Sequence, residues 1–392
     1  MHVAVDANCL AWGWGGIPKV VDRVVRQLAQ RDDVRVDLLA NTASPFTDIE
    51  GAGQAFRRIR GSTLWRETFV ARWVDREQPS VFWAPEGVLP RRLAVPSVVT
   101  LHDLAALLMP GVKPVRHRLA FRTAVRRSAR AATRVVAVSQ TTAADATRLF
   151  GLEPGSVTVV PNGVDERLTP GDRDAARALL RERRGVDGAF VVAVGSLEPR
   201  KGLDVLLDAA ALARELDLPW HVVLAGAVGY RGEPLARRAR NTPGCTVLGP
   251  VDEDELISLY RAADALAAPS LYEGFGLTPL EALACGTPAV IAGASGGLVE
   301  IAGEAGAIVV ERRSAPAWVD GIERARLTRA TVGARAQAAL ARYRWATVAD
   351  SLLAVLRDAA ATMSEPRHVS EPDDAGVVEG DVHPRVHEAG CE

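Results

Sequence analysis

Two carboxylates, Glu273 and Glu281, stand with seven residues between them around a loop that carries Gly274 and Gly276. The stretch Pro269–Pro288 reads as a strand end, a glycine loop and a helix, following the short apolar run Asp264–Ala268. Gly274 and Gly276 let the backbone turn tightly and approach a ligand closely. Thr278, Pro279 and Glu281 are expected as N-cap, first and third helical residues, with Gly286 and Pro288 closing the helix. The free amides of such a helix start favour an anion. Taken singly, Glu281 reads equally well as the far half of a capping box with Thr278, and Glu273 as an ordinary loop carboxylate.

A second motif, Val194-Gly195-Ser196-Leu197-Glu198-Pro199-Arg200-Lys201-Gly202, also follows a strand and precedes a helix. The adjacent fixed charges of Arg200 and Lys201 suit a diphosphate better than a single carboxylate. A solvated basic loop is the other reading of any Arg-Lys pair, but Lys19, Lys113 and Lys201 are the only lysines among the 47 basic Lys and Arg residues. His102, in Thr100-Leu101-His102-Asp103-Leu104, sits at a strand end where a cleft residue is expected, although a lone His is more often structural. Gly15 and Gly16 form a glycine loop beside Trp12 and Trp14, which either stack on a sugar or pack.

The string Ser270–Pro288 closely resembles the Glu-x7-Glu signature of the retaining glycosyltransferases of family 4 (group 1). Gly195–Gly202 is similar to that family's Gly-x-Leu-x-x-x-Lys-Gly diphosphate motif, with Ser196 where many relatives have Arg, so that Arg200 takes over some of that charge. His102-Asp103-Leu104 matches a branch that includes many mannosyltransferases. Gly15-Gly16-Ile17 matches the glycine loop near the donor phosphates, whereas Pro18-Lys19 departs from the family pattern. Ser139 and Pro161–Asp165 match further landmarks.

The resemblance covers roughly Met1–Leu356 and implies an α/β chain of GT-B fold, two Rossmann-like domains facing across a cleft. It implies an enzyme that moves a sugar from a nucleotide sugar, with GDP-mannose favoured, to a hydroxyl acceptor with retention of configuration. Arg200, Lys201 and the amides of Gly276, Leu277 and Thr278 would stabilise the departing diphosphate. Glu273 would hold donor-sugar hydroxyls, Glu281 the ribose hydroxyls, and His102 would lie beside the sugar. Asp103 would orient either that imidazole or its loop. Gly15, Gly16, Gly195, Ser196, Gly274 and Phe275 complete the implied donor site. No metal or other cofactor is implied; the acceptor is a glycan, a lipid-linked sugar or a small molecule. The rival readings are another GT-B enzyme, such as an epimerase or phosphorylase, and a non-catalytic nucleotide-sugar-binding protein.

The elements that must position these residues follow from the apolar pattern. The 392 residues suffice for two or three domains, and 48% hydrophobic content supplies a sizeable core. Short apolar runs alternate with helical patterns in both halves, as expected of parallel sheets covered on both faces. The expected division is 1–165 for an N-terminal acceptor domain, 166–345 for the donor domain, 346–362 for a helix packing back on the first domain, and 363–392 for a disordered tail, where His368, His383 and His387 lie. A net charge of −1 argues against a nucleic-acid partner. The scattered cysteines suggest neither zinc nor disulfides. Met1–Asp6 already reads as a strand rather than a signal peptide, and no apolar run approaches a membrane span, so a cytoplasmic protein is expected. The Arg-rich segments 57–76 and 116–134 leave peripheral contact with the inner membrane face open beside a solvated helix face. Asp252-Glu253-Asp254 mimics a metal motif, but its position favours helix capping.

Overall fold

Among the described residues thirteen strands form, most of them short runs rich in Val, Ala and Leu and buried on both faces. A computed structural model of the chain describes residues 1–12, 15–42, 49–109, 111–112 and 114–362. The expectations for Trp14, Lys113, the side chain of Trp12 and the tail 363–392 lie outside the described residues.

In the N-terminal half the strands are β1 (His2–Asp6), β2 (Arg35–Ala40), β3 (Ala52–Phe56), β4 (Val81–Ala84), β5 (Ser97–Leu101), β6 (Arg134–Ala137) and β7 (Val157–Val159). In the C-terminal half they are β8 (Ala189–Val194), β9 (Trp220–Ala225), β10 (Cys245–Gly249), β11 (Ala265–Ala268), β12 (Ala289–Ala292) and β13 (Ile308–Val310). They form a seven-stranded sheet of order β3-β2-β1-β4-β5-β6-β7 and a six-stranded sheet of order β10-β9-β8-β11-β12-β13. Neighbouring strands pair in parallel, as β1 with β4 and β8 with β11. The chain reverses its direction of travel across the sheet between β1 and β4, and again between β8 and β11. At such switch points the loops leave opposite faces and open a crevice beyond the carboxyl ends of the strands. Strand β3, Ala-Gly-Gln-Ala-Phe, is a largely exposed edge without an apolar run, so its periodicity carries no signal.

The helix Gly16–Ala29 turns Val20, Val21, Val24, Val25 and Leu28 inward at helical spacing. The last described helix, Trp345–Ala361, belongs to the same apolar cluster as β1 and this first helix. It crosses the chain at Gly163, where an added Cβ would lie 2.4 Å from the Trp345 ring. Within the Arg-rich segment 57–76, Trp65 and Trp73 are buried in the core. Asp252 caps the helix Glu253–Ala262 in a reciprocal capping box with Glu255, the role its position favours. Among the described residues, no helix is long and apolar enough to cross a membrane.

Candidate functional site

The loops that leave β8 and β11 meet at the switch point of the C-terminal sheet. After Gly195, the short turn Pro199–Lys201 is closed by Gly202 in the left-handed region (φ +62°). A Cβ on Gly202 would lie 2.1 Å from the Pro269 carbonyl, so only glycine lets the two loops touch. Leu271 donates its amide to the Arg200 carbonyl at 2.9 Å, which seals that contact.

This junction brings Arg200, Lys201 and Glu273 together. Arg200 donates through Nη1 to Glu273 Oε2 at 2.8 Å and through Nη2 to Glu198 Oε1 at 2.9 Å. Lys201 Nζ donates to Glu273 Oε1 at 2.6 Å, and Ser270 Oγ donates to the same oxygen at 2.8 Å. Ser295 Oγ accepts the Glu273 amide at 2.9 Å. Burial pushes the Glu273 carboxyl upward, but Lys201 and Arg200 outweigh it and hold its pKa at about 2. Glu273 foremost, then Asp103 and Glu198, outweigh the burial of Arg200 and keep its guanidinium charged. The basic pair is therefore not an open cationic pocket: Glu273, Glu198 and Asp103 surround it. Ser196 sits beside this cluster, its Cβ 3.1 Å from where a Cβ on Gly229 would stand.

The helix after the loop starts earlier than expected. It spans Leu277–Ala284, and Gly276 at φ +95°, rather than Thr278, is its N-cap; no side chain caps it. Glu281 is unavailable for a capping box because tertiary partners hold it. Tyr260 Oη donates to Glu281 Oε2 at 2.7 Å, and Lys19 Nζ, from the other half of the chain, donates to Oε1 at 2.5 Å. Phe275 is buried and meets the Tyr343 ring edge-on, with centroids 5.8 Å apart, so only its backbone faces the loop.

Across the cleft, the N-terminal half presses on this loop. A Cβ on Gly274 would lie 1.9 Å from the His102 carbonyl. Ser139 Oγ donates to the Gly274 carbonyl at 2.6 Å, and Tyr272 Oη to Asp145 Oδ2 at 2.9 Å. Glu300 accepts the amides of Gln140 and Thr141 at 2.7 and 2.8 Å, capping an N-terminal-half helix from the C-terminal half. Gly15 accepts the Lys19 amide at 3.2 Å, and a Cβ on Gly16 would stand 3.8 Å from Leu277 Cδ1.

Burial lowers the His102 pKa to about 4, only partly offset by its hydrogen bond to the Pro85 carbonyl. Its Nε2 is shielded from solvent without a partner among the described residues. Asp103 accepts the Ala105 amide at 3.0 Å, so it shapes its own loop rather than orienting the imidazole. Lys19, Glu198, Tyr260, Ser270, Ser295 and Glu300 join the site without being predicted in it. Lys19 carried a signal, being a rare lysine beside the glycine loop; the others acquire their partners only through folding.

Residues 14–168 match the family described as Glycosyltransferase Family 4, and residues 180–338 match Glycosyl transferases group 1. The D-inositol 3-phosphate glycosyltransferase of Mycolicibacterium gilvum is 37% identical over 278 residues, 67% of this chain and 60% of that protein. Its namesake in Rhodococcus erythropolis is 36% identical over 291 residues, 69% of this chain and 64% of that protein. The chain thus spans less than two thirds of the length of these curated relatives. Among solved structures, sucrose-phosphate synthase from Thermosynechococcus elongatus superposes with a TM-score of 0.74 at 20% identity, covering 92% of this chain and 100% of that one. Anabaena Alr3699/HepE in complex with UDP and glucose follows with 0.71 at 20% identity, covering 91% and 99%. These likenesses show the fold alone. With a family profile on each half, Glu273 on the loop and Glu281 on the helix that follows it, and two parallel sheets facing across them, the chain belongs to the family 4 glycosyltransferases of GT-B fold.

Proposed function

We propose that this chain transfers a sugar from a nucleoside diphosphate donor to a hydroxyl acceptor, with retention of anomeric configuration. The observation that carries this reading is the Arg200–Glu273–Lys201 cluster at the β8/β11 switch point, facing His102 across the cleft. In the free protein Glu273 holds both cations in place. An entering diphosphate supplies a more highly charged partner for Arg200 and Lys201, with the amides at the start of the Leu277–Ala284 helix beside it. Glu273 is then free to accept hydroxyls of the sugar. Charge building on the leaving diphosphate is met by groups already fixed in position, the largest single contribution expected here. His102 has one ring nitrogen committed to the Pro85 carbonyl, so its neutral Nε2 can only accept a hydrogen bond, which suits a sugar hydroxyl. Glu281, held by Tyr260 and Lys19, would take the ribose hydroxyls in this reading. The acceptor attacks on the leaving-group face and passes its proton to the phosphate, so no carboxylate nucleophile and no metal is invoked.

The His-Asp-Leu motif favours GDP-mannose, while the UDP and glucose bound by Anabaena HepE favour a uridine donor. Thermal shift against GDP-mannose, UDP-glucose, GDP and UDP separates these, because a ligand that binds only the folded state raises its stability. Lys201→Ala and Glu281→Ala should abolish the shift and greatly reduce transfer without unfolding the chain. A protein stabilised by none of these nucleotides would overturn the reading. Peripheral membrane contact belongs to the same proposal: the helix Val115–Ala131 exposes Val115 and Leu119 beside the exposed Arg116 and Arg122. Flotation with anionic vesicles, lost in Leu119→Glu, tests it; no binding to such vesicles removes it.

A further inference from the structure

Both oxygens of Glu281 are already engaged in the free protein. Tyr260 Oη donates to Oε2 at 2.7 Å and Lys19 Nζ to Oε1 at 2.5 Å. The Glu281 side chain is only 5% exposed, so ribose hydroxyls reach its carboxylate only if one of these partners moves. The two partners differ in freedom. Tyr260 is fully buried, whereas the Lys19 side chain is 27% exposed. A compact ammonium on a flexible four-carbon stem can swing to another anion, and a ring packed in the core cannot. Lys19 is therefore the partner that yields.

Charge gives the displaced ammonium a destination. Arg200 and Lys201 stand among three carboxylates, Glu273, Glu198 and Asp103, so their pocket holds no positive charge in excess. An entering diphosphate needs a further cation. Lys19 lies in the first turn of the helix Gly16–Ala29, whose start meets that of the helix Leu277–Ala284. A Cβ on Gly16 would stand 3.8 Å from Leu277 Cδ1. Among the described residues no side chain caps either helix start, so amides from both halves are left over beside Lys19.

Resting on the transferase reading above, we propose that Lys19 is a counter-ion exchanged by the donor. In the free protein it neutralises Glu281. When a nucleoside diphosphate enters, the ribose hydroxyls take Glu281 and the Lys19 ammonium pairs with the diphosphate. The ion pair between the halves is thereby replaced with one that runs through the donor. Ribose and phosphate become interdependent ligands: a nucleoside alone strands the Lys19 charge without an anion and so binds poorly.

Calorimetric titration of the full chain with uridine, guanosine, UDP and GDP tests the exchange. Lys19→Met should weaken binding of the preferred diphosphate by about tenfold or more. The matching nucleoside should bind no less tightly, because its ribose no longer competes with an ammonium. Lys19→Arg keeps the charge and should retain most of the diphosphate affinity. A lysine that only supports Glu281 would weaken nucleoside and diphosphate in parallel; that result, or an unchanged diphosphate affinity in Lys19→Met, overturns the proposal. The unaltered protein gives a second reading, since Lys19, Lys113 and Lys201 are its only lysines. With isotope-labelled lysine, the NMR signal that disappears in Lys19→Arg should shift when the diphosphate binds. A Lys19 signal that stays in place overturns the proposal even if Lys19→Met fails to fold. An unaltered protein that binds neither UDP nor GDP counts against the transferase reading itself, and the exchange falls with it.

Discussion

Lys19 and Glu281 lie 262 residues apart in the chain, yet the Lys19 ammonium donates to the Glu281 carboxylate at 2.5 Å across the cleft. Glu281 is almost fully buried, and Tyr260 serves its other oxygen, so Lys19 is the charge that balances it. Pro18-Lys19, the step that departs from the family pattern, lies in the first turn of the helix Gly16–Ala29 and reaches directly into the carboxylate proposed for ribose.

Removing Lys19 leaves a buried carboxylate with a neutral partner only. Lys19→Met should destabilise the chain by about 1–3 kcal/mol, less than for a fully buried pair because the lysine is partly exposed. In a double-mutant cycle with Glu281→Gln, the two losses should fall short of additivity by about 1–2 kcal/mol. Strictly additive melting shifts would show that the pair contributes nothing.

Gly274 sits where the halves touch, and a methyl group there would stand 1.9 Å from the His102 carbonyl. Gly274→Ala should force the halves apart at the site and cut transfer by roughly 100-fold through lost positioning. The nucleotide thermal shift should persist, because Arg200 and Lys201 are untouched. Transfer at the unaltered rate would mean that this contact is not needed during turnover.

Glu273 titrates at about 2 in the folded chain against an ordinary 4.5, because Lys201 and Arg200 outweigh its burial. Its contribution is fully present above pH 4.5 and is lost as pH falls toward 2. At most about 3 kcal/mol of stability is tied to this one group. Lys201→Met should flatten the fall in melting temperature between pH 5 and pH 3. An unchanged acid profile would place the linkage elsewhere.

His102 titrates at about 4 rather than 6.5, so it is neutral throughout the physiological range. The unfolded chain gains this proton first, and the stability contributed by neutral His102 is lost as pH falls from 6.5 toward 4. The kcat profile should therefore show no limb near pH 6.5 from this residue. His102→Ala should lower kcat about 10–100-fold without moving the neutral part of the profile. A limb at pH 6.5 that vanishes in the variant would contradict a neutral acceptor role.

The sequence alone determined which stretches carry the candidate site and the kind of fold that holds them. Gly195–Gly202 and Pro269–Pro288 are contiguous strand–loop–helix segments, and apolar runs such as Phe190–Val194 reveal the parallel strands that end at them. Local spacing suffices there because neighbours in the chain are neighbours in space. Tertiary structure decided what each charge touches. Arg200 and Lys201 face Glu273 rather than solvent because Gly202 lets two loops meet over Pro269. The helix at Leu277 starts without a capping box because Glu281 finds stronger partners in Tyr260 and Lys19 than in its own backbone. Phe275 turns into the core against Tyr343, and Arg66 bridges Asp6 and Glu86 from a separate helix. Hydrogen bonds between distant segments outweigh local capping preferences once burial removes water as a competing partner, and sequence spacing carries no record of them.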